Sequence, residues 1–200
     1  MTTESPFPQL SYPVLLQYIT QKICHDLATP IGALRLGIDH LEQNDITPIL
    51  LSSLETATTR IDVFRHLFSQ NVDMIDSQRM GKLLHAYLKS KNITLETTGS
   101  VQGQRARIML GLGIVACEAL PRGGKVFLDF DTLLLQCEGP IIHMPYSHFD
   151  RNALLKEDLN FKSGIILVHV LFLAESEKLN LSCSQEGHTL ILSFKGQNTA

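Results

Sequence analysis

Two apolar stripes at helical spacing lie in the first seventy residues, and they limit the possible folds more than any other feature of the chain. At about 100° per residue, each stripe covers a narrow arc of one helix face. The first predicts a helix from Tyr12 to Gln43, with a stripe made of Ile23, Leu27, Leu34, Ile38 and Leu41. The second predicts a helix from Thr47 to Gln70, with Leu50, Leu54, Ala57, Ile61, Phe64 and Phe68. Because only a short break at Asn44-Asp45 separates them, we predict an antiparallel helical hairpin.

A hairpin with one apolar stripe per helix buries little surface by itself. Pairing with a second copy into a dimeric four-helix bundle would cover both stripes. The alternative, in which the stripes pack only on the rest of the same chain, stays open at this point.

The pattern changes after about Asp76 to alternating helices and strands. The predicted helices and strands, in order, are Ser77 to Lys89, Asn92 to Thr98, Gln104 to Leu120, Lys125 to Phe130, Leu133 to Cys137, Ser163 to Glu175, Leu179 to Cys183 and Thr189 to Phe194. The turn Pro121-Arg-Gly-Gly124 ends the fourth predicted helix, Gln104 to Leu120. We therefore predict an α+β protein with a helical hairpin in residues 1–75 and an α/β sandwich in residues 76–200.

Composition and charge narrow the class of partner. The 200 residues are 44% hydrophobic and 18% charged, which suits a folded core, and the net charge of −3 comes without a cluster of lysines or arginines. A nucleic-acid partner is therefore not expected.

No membrane association is expected either. The strongest apolar run, Gly164 to Ala174, is too short to cross a bilayer and contains His169, and the first eight residues carry no signal-peptide pattern. Four widely spaced cysteines form no metal or redox motif. We expect a cytoplasmic protein with protein partners.

The helix wheel leaves one histidine open to water. His25 falls about 200° from Ile23, away from the stripe. The same side holds Lys22, Ala28, Thr29, Gly32 and Leu36. Asp26 follows His25 directly and can accept the proton of Nδ1, which leaves Nε2 as a nucleophile. The competing interpretation is an ordinary surface histidine, with Pro30 beginning a new helix.

Two other kinds of site, a metal site and a hydrolase site, have little support in the sequence. His143, His148 and Asp150 could suggest a metal site, but they lie in an irregular stretch without ligand spacing. No Gly-x-Ser-x-Gly motif suggests a hydrolase.

The segment His25-Asp26-Leu27-x-Thr29-Pro30 resembles the histidine box of the dimerisation and phosphotransfer domain of two-component histidine kinases. The segment Val115 to Gly124 aligns with the asparagine box of the kinase ATP-binding domain, but Val115 stands where that family has a magnesium-binding asparagine. The Asp-x-Gly-x-Gly box that reads adenine has no counterpart between Glu138 and Lys162. This combination resembles the ChpT-type histidine phosphotransferases, whose ATP-binding domain is degenerate.

The resemblance implies a relay from aspartate to histidine to aspartate between receiver domains, one of them carried by a hybrid histidine kinase. His25 would be phosphorylated, Asp26 would orient its ring, and Thr29 would contact the phosphoryl oxygens or the receiver. The receiver would dock on Lys22, Ala28, Gly32 and Leu36. The chain would need no cofactor, because Mg²⁺ would come with the receiver.

Two other functions remain open at the level of sequence. One is a non-catalytic dimeric protein that binds a regulator, and the other is an ATP-dependent histidine kinase. Val115 and the missing adenine box speak against the kinase. The sequence does not decide whether the chain is an enzyme in its own right.

Overall fold

A computed structural model describes residues 12–39, 47–68, 76–143 and 164–196. The predictions for Leu41, Gln43, Asn44-Asp45, Gln70, His148 and Asp150 lie outside these residues. Five helices are present in the described part: α1 (Tyr12–Asp39), α2 (Thr47–Phe68), α3 (Ser77–Lys89), α4 (Gly103–Ala119) and α5 (Gly164–Ser176). The described part of the chain contains no helix that is both long and apolar enough to cross a membrane.

Five strands form one mixed sheet: β1 (Ile93–Thr98), β2 (Gly124–Asp129), β3 (Leu134–Glu138), β4 (Leu179–Glu186) and β5 (Thr189–Gly196). Their order across the sheet is β1-β2-β3-β5-β4, with β1 parallel to β2 and the other neighbouring pairs antiparallel. The α+β prediction is confirmed, and each predicted strand begins within one residue of its place. β4 is longer than predicted because it pairs with β5 as far as Glu186.

The sheet has one covered face and one open face. Alternate residues of β2, β3 and β5 are buried against α4 and its neighbours, as the period of two requires: Val126, Leu128, Leu135, Cys137, Leu190, Leu192 and Phe194. The residues between them, such as Lys125 and Glu138, face away from the helices, and both are exposed. The C-terminal part is therefore a layer of three helices on one sheet.

The turn after α4 depends on its two glycines. Gly123 has φ of 79° and Gly124 has φ of 152°, so both lie in the region that side chains avoid. A Cβ on Gly123 would lie 2.6 Å from the backbone oxygen of Asn92, and one on Gly124 would lie 2.2 Å from that of Glu138. The Pro-Arg-Gly-Gly segment thus has a structural task, which is to bring β2 directly alongside β1 and β3.

The hairpin packs on the helix layer through a shared core. Val63, Phe64 and Leu67 of α2 belong to the same hydrophobic cluster as the buried side chains of α3, α4 and α5. At the end of α2, the backbone oxygen of Leu67 accepts hydrogen bonds from Arg107 Nε at 3.2 Å and Nη2 at 3.0 Å, and His169 Nε2 lies 3.2 Å away. The division at residue 75 stays a prediction, since one core runs across it.

The apolar stripes are only partly covered within one chain. Ile23, Leu27 and Leu34 are half-buried, and Ile38 is 58% exposed. On α2, Ala57 and Phe64 are buried, whereas Leu54 and Ile61 are 52% and 49% exposed. The buried side of α1 is instead the neighbouring arc that contains Ile19, Lys22, Asp26, Pro30 and Gly37. This arc faces the rest of the chain, and part of each predicted stripe therefore remains on the surface.

Candidate functional site

His25 lies on α1 with 55% of its side chain exposed. Its Nδ1 atom is 3.1 Å from Oδ1 of Asp26, whose side chain is only 11% exposed. Because a carboxylate can only accept, this contact requires the proton of the neutral imidazole to sit on Nδ1. Nε2 then carries the free lone pair, as the sequence predicts.

α1 continues without interruption through Pro30, so the alternative in which Pro30 begins a new helix is wrong. Pro30 has no N–H to donate to the carbonyl oxygen of Asp26, four residues earlier. A guanidinium nitrogen of Arg60 on α2 donates to that same oxygen. The second helix of the hairpin therefore satisfies the acceptor that the proline leaves unpaired, one residue away from His25.

Lys22 and Glu118 extend the polar cluster from α1 to α4. Lys22 Nζ lies 3.1 Å from Oδ2 of Asp26 and 2.8 Å from Oε1 of Glu118. The three side chains are 10%, 11% and 15% exposed, so their charges interact in a partly desolvated setting. The contacts form one line of alternating charge that ends at the ring of His25.

Burial and charge shift the protonation of this cluster in opposite ways. Burial alone lowers the pKa of Lys22, but the carboxylates of Glu118 and Asp26 outweigh it and raise the pKa above 10.5. Burial raises the pKa of Glu118 to about 7, although the Lys22 ammonium works against this rise. Lys22 is therefore charged at neutral pH, and Glu118 titrates near it.

A cleft of about 390 Å³ opens beside this cluster, between the hairpin and the C-terminal ends of α3 and α4. Its lining includes His25, Lys22, Asp26, Arg60 and Glu118, and its other walls are Tyr87, Lys91, Cys117, Pro121 and His143. Burial raises the pKa of the Cys117 thiol to about 11 and raises the pKa of Tyr87 as well. Both groups are therefore neutral near pH 7, which argues against a thiolate nucleophile in the cleft.

The remaining predicted site residues lie where the wheel puts them, with one exception. Ala28, Thr29 and Gly32 are exposed, and Leu36 is 64% exposed. The prediction that Lys22 lies on the open docking face is wrong, because its side chain is buried against Glu118. The wheel places Lys22 at the border of the exposed arc, and α4 covers that border.

Sequence reasoning missed Glu118 and Arg60. Glu118 occupies the lysine position of the kinase asparagine box, and that change of sign was its only local signal. Val115, at the magnesium position, is 3% exposed inside the core. His143 lines the cleft, but the described residues hold no group of three metal-ligating side chains.

No protein-family profile matches the chain. It is similar to the protein phosphotransferase ChpT of Brucella abortus (strain 2308), with 20% identity over 196 residues that cover 88% of this chain and 92% of the relative. Its fold is similar to a solved structure of a bacterial phosphotransferase, with a TM-score of 0.79 and 20% identity over 94% of this chain and 98% of that one. The histidine kinase AdeS of Acinetobacter baumannii gives a TM-score of 0.48 at 18% identity, over 88% of this chain and 98% of the other.

The chain therefore shares its fold with a bacterial phosphotransferase and is similar in sequence to a ChpT phosphotransferase over most of its length, which confirms the ChpT-type resemblance.

Proposed function

We propose that this chain is a histidine phosphotransferase of a two-component phosphorelay that acts in the cytoplasm and carries the phosphoryl group on Nε2 of His25 without using ATP. The observation that carries the proposal is the state of this ring. It is 55% exposed on a helix, and its Nδ1 atom is held 3.1 Å from the buried carboxylate of Asp26. A nucleophilic ring nitrogen is thereby fixed in tautomer and direction while its face stays open to a partner protein.

The transfer needs little from this chain beyond positioning and charge. The lone pair of Nε2 attacks the phosphorus of an aspartyl phosphate, the N–P bond forms, and the O–P bond breaks to release the receiver's carboxylate. The proton of the imidazole stays on Nδ1, where Asp26 offsets the positive charge that develops on the ring. Return of the group to a second receiver reverses these steps, with that receiver's aspartate as nucleophile.

The proposed partners are receiver domains, one of them part of a hybrid histidine kinase. A receiver would approach the exposed side of α1, where Ala28 and Gly32 present little bulk beside His25. Leu36, which is 64% exposed, supplies an apolar contact on that side. Thr29 offers a hydroxyl one turn after His25 for the phosphoryl oxygens or for the receiver. The Mg²⁺ that phosphoryl transfer uses would belong to the receiver.

We further propose that the hairpins of two copies form a four-helix bundle. The exposed apolar side chains lie on both helices of the hairpin: Ile31, Ile38, Ile49, Leu51, Leu54 and Ile61, each about half exposed or more. Apolar side chains grouped along two adjacent helices are typical of a surface that another helical pair covers. A second copy supplies a matching surface by symmetry.

The ATP-dependent kinase is the less favoured reading. Val115 is a buried aliphatic side chain where the kinase family has a metal ligand, and Glu118 forms an ion pair with Lys22 instead of facing a phosphate as a lysine could. The aliphatic side chain of Val115 cannot ligate Mg²⁺, and the carboxylate of Glu118 cannot pair with a phosphate as a lysine would.

The test measures acid-labile ³²P on the wild-type protein and on His25→Ala, with a phosphorylated receiver as donor and with ATP alone as control. We expect label on the wild type from the receiver only, and none on the variant. Label from ATP alone would favour the kinase. Receiver binding without label would favour the non-catalytic binding protein, whose affinity should survive His25→Ala.

A further inference from the structure

The carboxylate of Asp26 is shared between the ring of His25 and the ammonium group of Lys22. Asp26 faces His25 with Oδ1 and Lys22 with Oδ2, each at 3.1 Å. If Lys22 had no other partner, its ammonium would neutralise Asp26 and weaken the carboxylate as an acceptor for the proton on Nδ1. The second carboxylate, from Glu118, lies at 2.8 Å on the far side of the ammonium.

The three formal charges sum to minus one when Glu118 is ionised, and to zero when it is not. A net negative cluster favours both the hydrogen bond from Nδ1 and the positive charge that develops on the ring during transfer. Because Lys22 and both carboxyl groups are nearly buried, solvent screens this effect only weakly.

We propose that Glu118 is a positioning residue for His25: by offsetting the charge of Lys22, it leaves Asp26 a full carboxylate charge with which to hold the proton on Nδ1. This role rests on the proposed function. It also gives the C-terminal part of the chain a task at the site, because the group that completes the charge balance comes from α4 and not from the hairpin.

A simple staple between α4 and α1 is the competing account of the same contacts. The two accounts differ in what happens when both members of the Lys22–Glu118 pair are removed together. Charge balance predicts recovery, since Lys22→Met/Glu118→Gln leaves Asp26 with its charge and no neighbouring ammonium. A staple predicts a loss at least as large as in Glu118→Gln alone.

The first measurement follows the tautomer of His25 by ¹H–¹⁵N spectra of the imidazole rings in full-length protein, assigned with His25→Ala. We expect the Nδ1–H form to dominate in the wild type, to lose population in Glu118→Gln, and to return in the double variant. Glu96→Gln and Lys125→Met, two exposed changes on the sheet, serve as charge-matched controls and should leave the spectrum unchanged.

The second measurement is the rate at which phosphoramidate, a small-molecule donor, phosphorylates His25 in the same proteins. Glu118→Gln should be slower by about tenfold, by analogy with the losses of about 10- to 100-fold that follow removal of the partner that orients a metal-binding histidine. The double variant should lie within about threefold of the wild type by the same reasoning.

An unchanged tautomer in folded Glu118→Gln would overturn the proposal, as would a double variant that is no faster than Glu118→Gln. The near-isosteric glutamine keeps the side-chain shape, and far-UV circular dichroism confirms that each variant is folded. The ring spectra need no phosphoryl donor. A failure of every receiver to transfer phosphate would therefore count against the proposed function and not against this assignment.

Discussion

Arg60 donates a hydrogen bond to the backbone oxygen of Asp26, the acceptor that Pro30 deprives of its helical partner. The contact ties the middle of α2 to the turn of α1 that presents His25. The helix that carries His25 can therefore continue through a proline, because the neighbouring helix supplies the missing hydrogen-bond donor.

Arg60→Met should lower both stability and transfer. The variant leaves the Asp26 oxygen without a protein donor, which costs roughly 1–2 kcal/mol in the free energy of unfolding. Urea unfolding and the phosphoramidate rate measure the two effects. Arg65→Met is the matched control, since Arg65 is 64% exposed and only 3.5 Å from Asp62 in a surface ion pair. Equal losses in the two variants would contradict the role assigned to Arg60.

Asp26→Asn should slow phosphorylation of His25 by about 10- to 100-fold, as loss of an orienting carboxylate typically does. The amide can also donate to Nδ1, and that would favour the wrong tautomer. Single-turnover transfer from a phosphorylated receiver gives the rate. Asp62→Asn removes a carboxylate on α2 that is 39% exposed, and we expect wild-type rates from it.

Two largely buried groups, His169 and Glu118, give the stability of the protein opposite pH dependences. Burial lowers the pKa of His169 from 6.5 to about 4, so its contribution is complete above pH 6.5 and is lost as the pH falls toward 4. Burial raises the pKa of Glu118 from 4.5 to about 7, so its contribution is complete below pH 4.5 and is lost as the pH rises toward 7. Burial also lowers the pKa of His66, which adds to the slope of His169.

Between pH 4.5 and 6.5 these slopes should largely cancel in the wild type. Glu118→Gln removes one slope, so its free energy of unfolding should fall on acidification across this window by an amount of order 3 kcal/mol. Urea titrations at intervals of one pH unit give the free energy of unfolding as a function of pH. The control Glu96→Gln should keep the nearly constant profile of the wild type. A Glu118→Gln profile parallel to that of the wild type would show that the glutamate does not titrate in this window.

If two copies pair through the proposed bundle, Ile61→Glu should leave the protein monomeric. A charge placed on the exposed apolar side of α2 would be buried unpaired in the bundle, at a cost that a two-helix contact cannot offset. Sedimentation velocity distinguishes one 22.3 kDa chain from two. Ile141→Glu is the control, because Ile141 is 41% exposed and lies outside the hairpin. A wild-type protein that sediments as a monomer would contradict the proposed bundle.

Local pattern was enough to predict most of the secondary structure. The strands alternate with a period of two, and breakers such as the Pro121 to Gly124 turn mark their limits, so each element follows from residues close together in sequence. The open placement of His25 followed in the same way from a single apolar stripe. These features depend on periodicity, which a single sequence records directly.

The charge cluster could not be predicted in this way. Whether Lys22 is exposed depends on where α4 packs, and its contact with Glu118 joins segments that are distant in the chain. Arg60, which donates to the Asp26 oxygen, is also distant in the chain. Pro30 indicates that this oxygen needs a donor but does not identify it. Tertiary contacts decided both outcomes, and no local signal names the partner.

The carbonyl oxygen of Leu67 links the end of the hairpin to two other helices. It accepts hydrogen bonds from two nitrogens of Arg107 on α4, and one nitrogen of His169 on α5 lies beside it. The end of the hairpin and two helices of the helix layer therefore meet at one atom. Pulling these layers apart would break both hydrogen bonds of Arg107 to this oxygen and expose the shared apolar core, which disfavours any partly opened state. Backbone amides at the end of α2 and in α4 should then exchange with solvent at one common rate, as parts of a single cooperative unit. For the proposed relay this means that the hairpin and the layers packed on it would stay docked as one rigid body while receivers bind and leave.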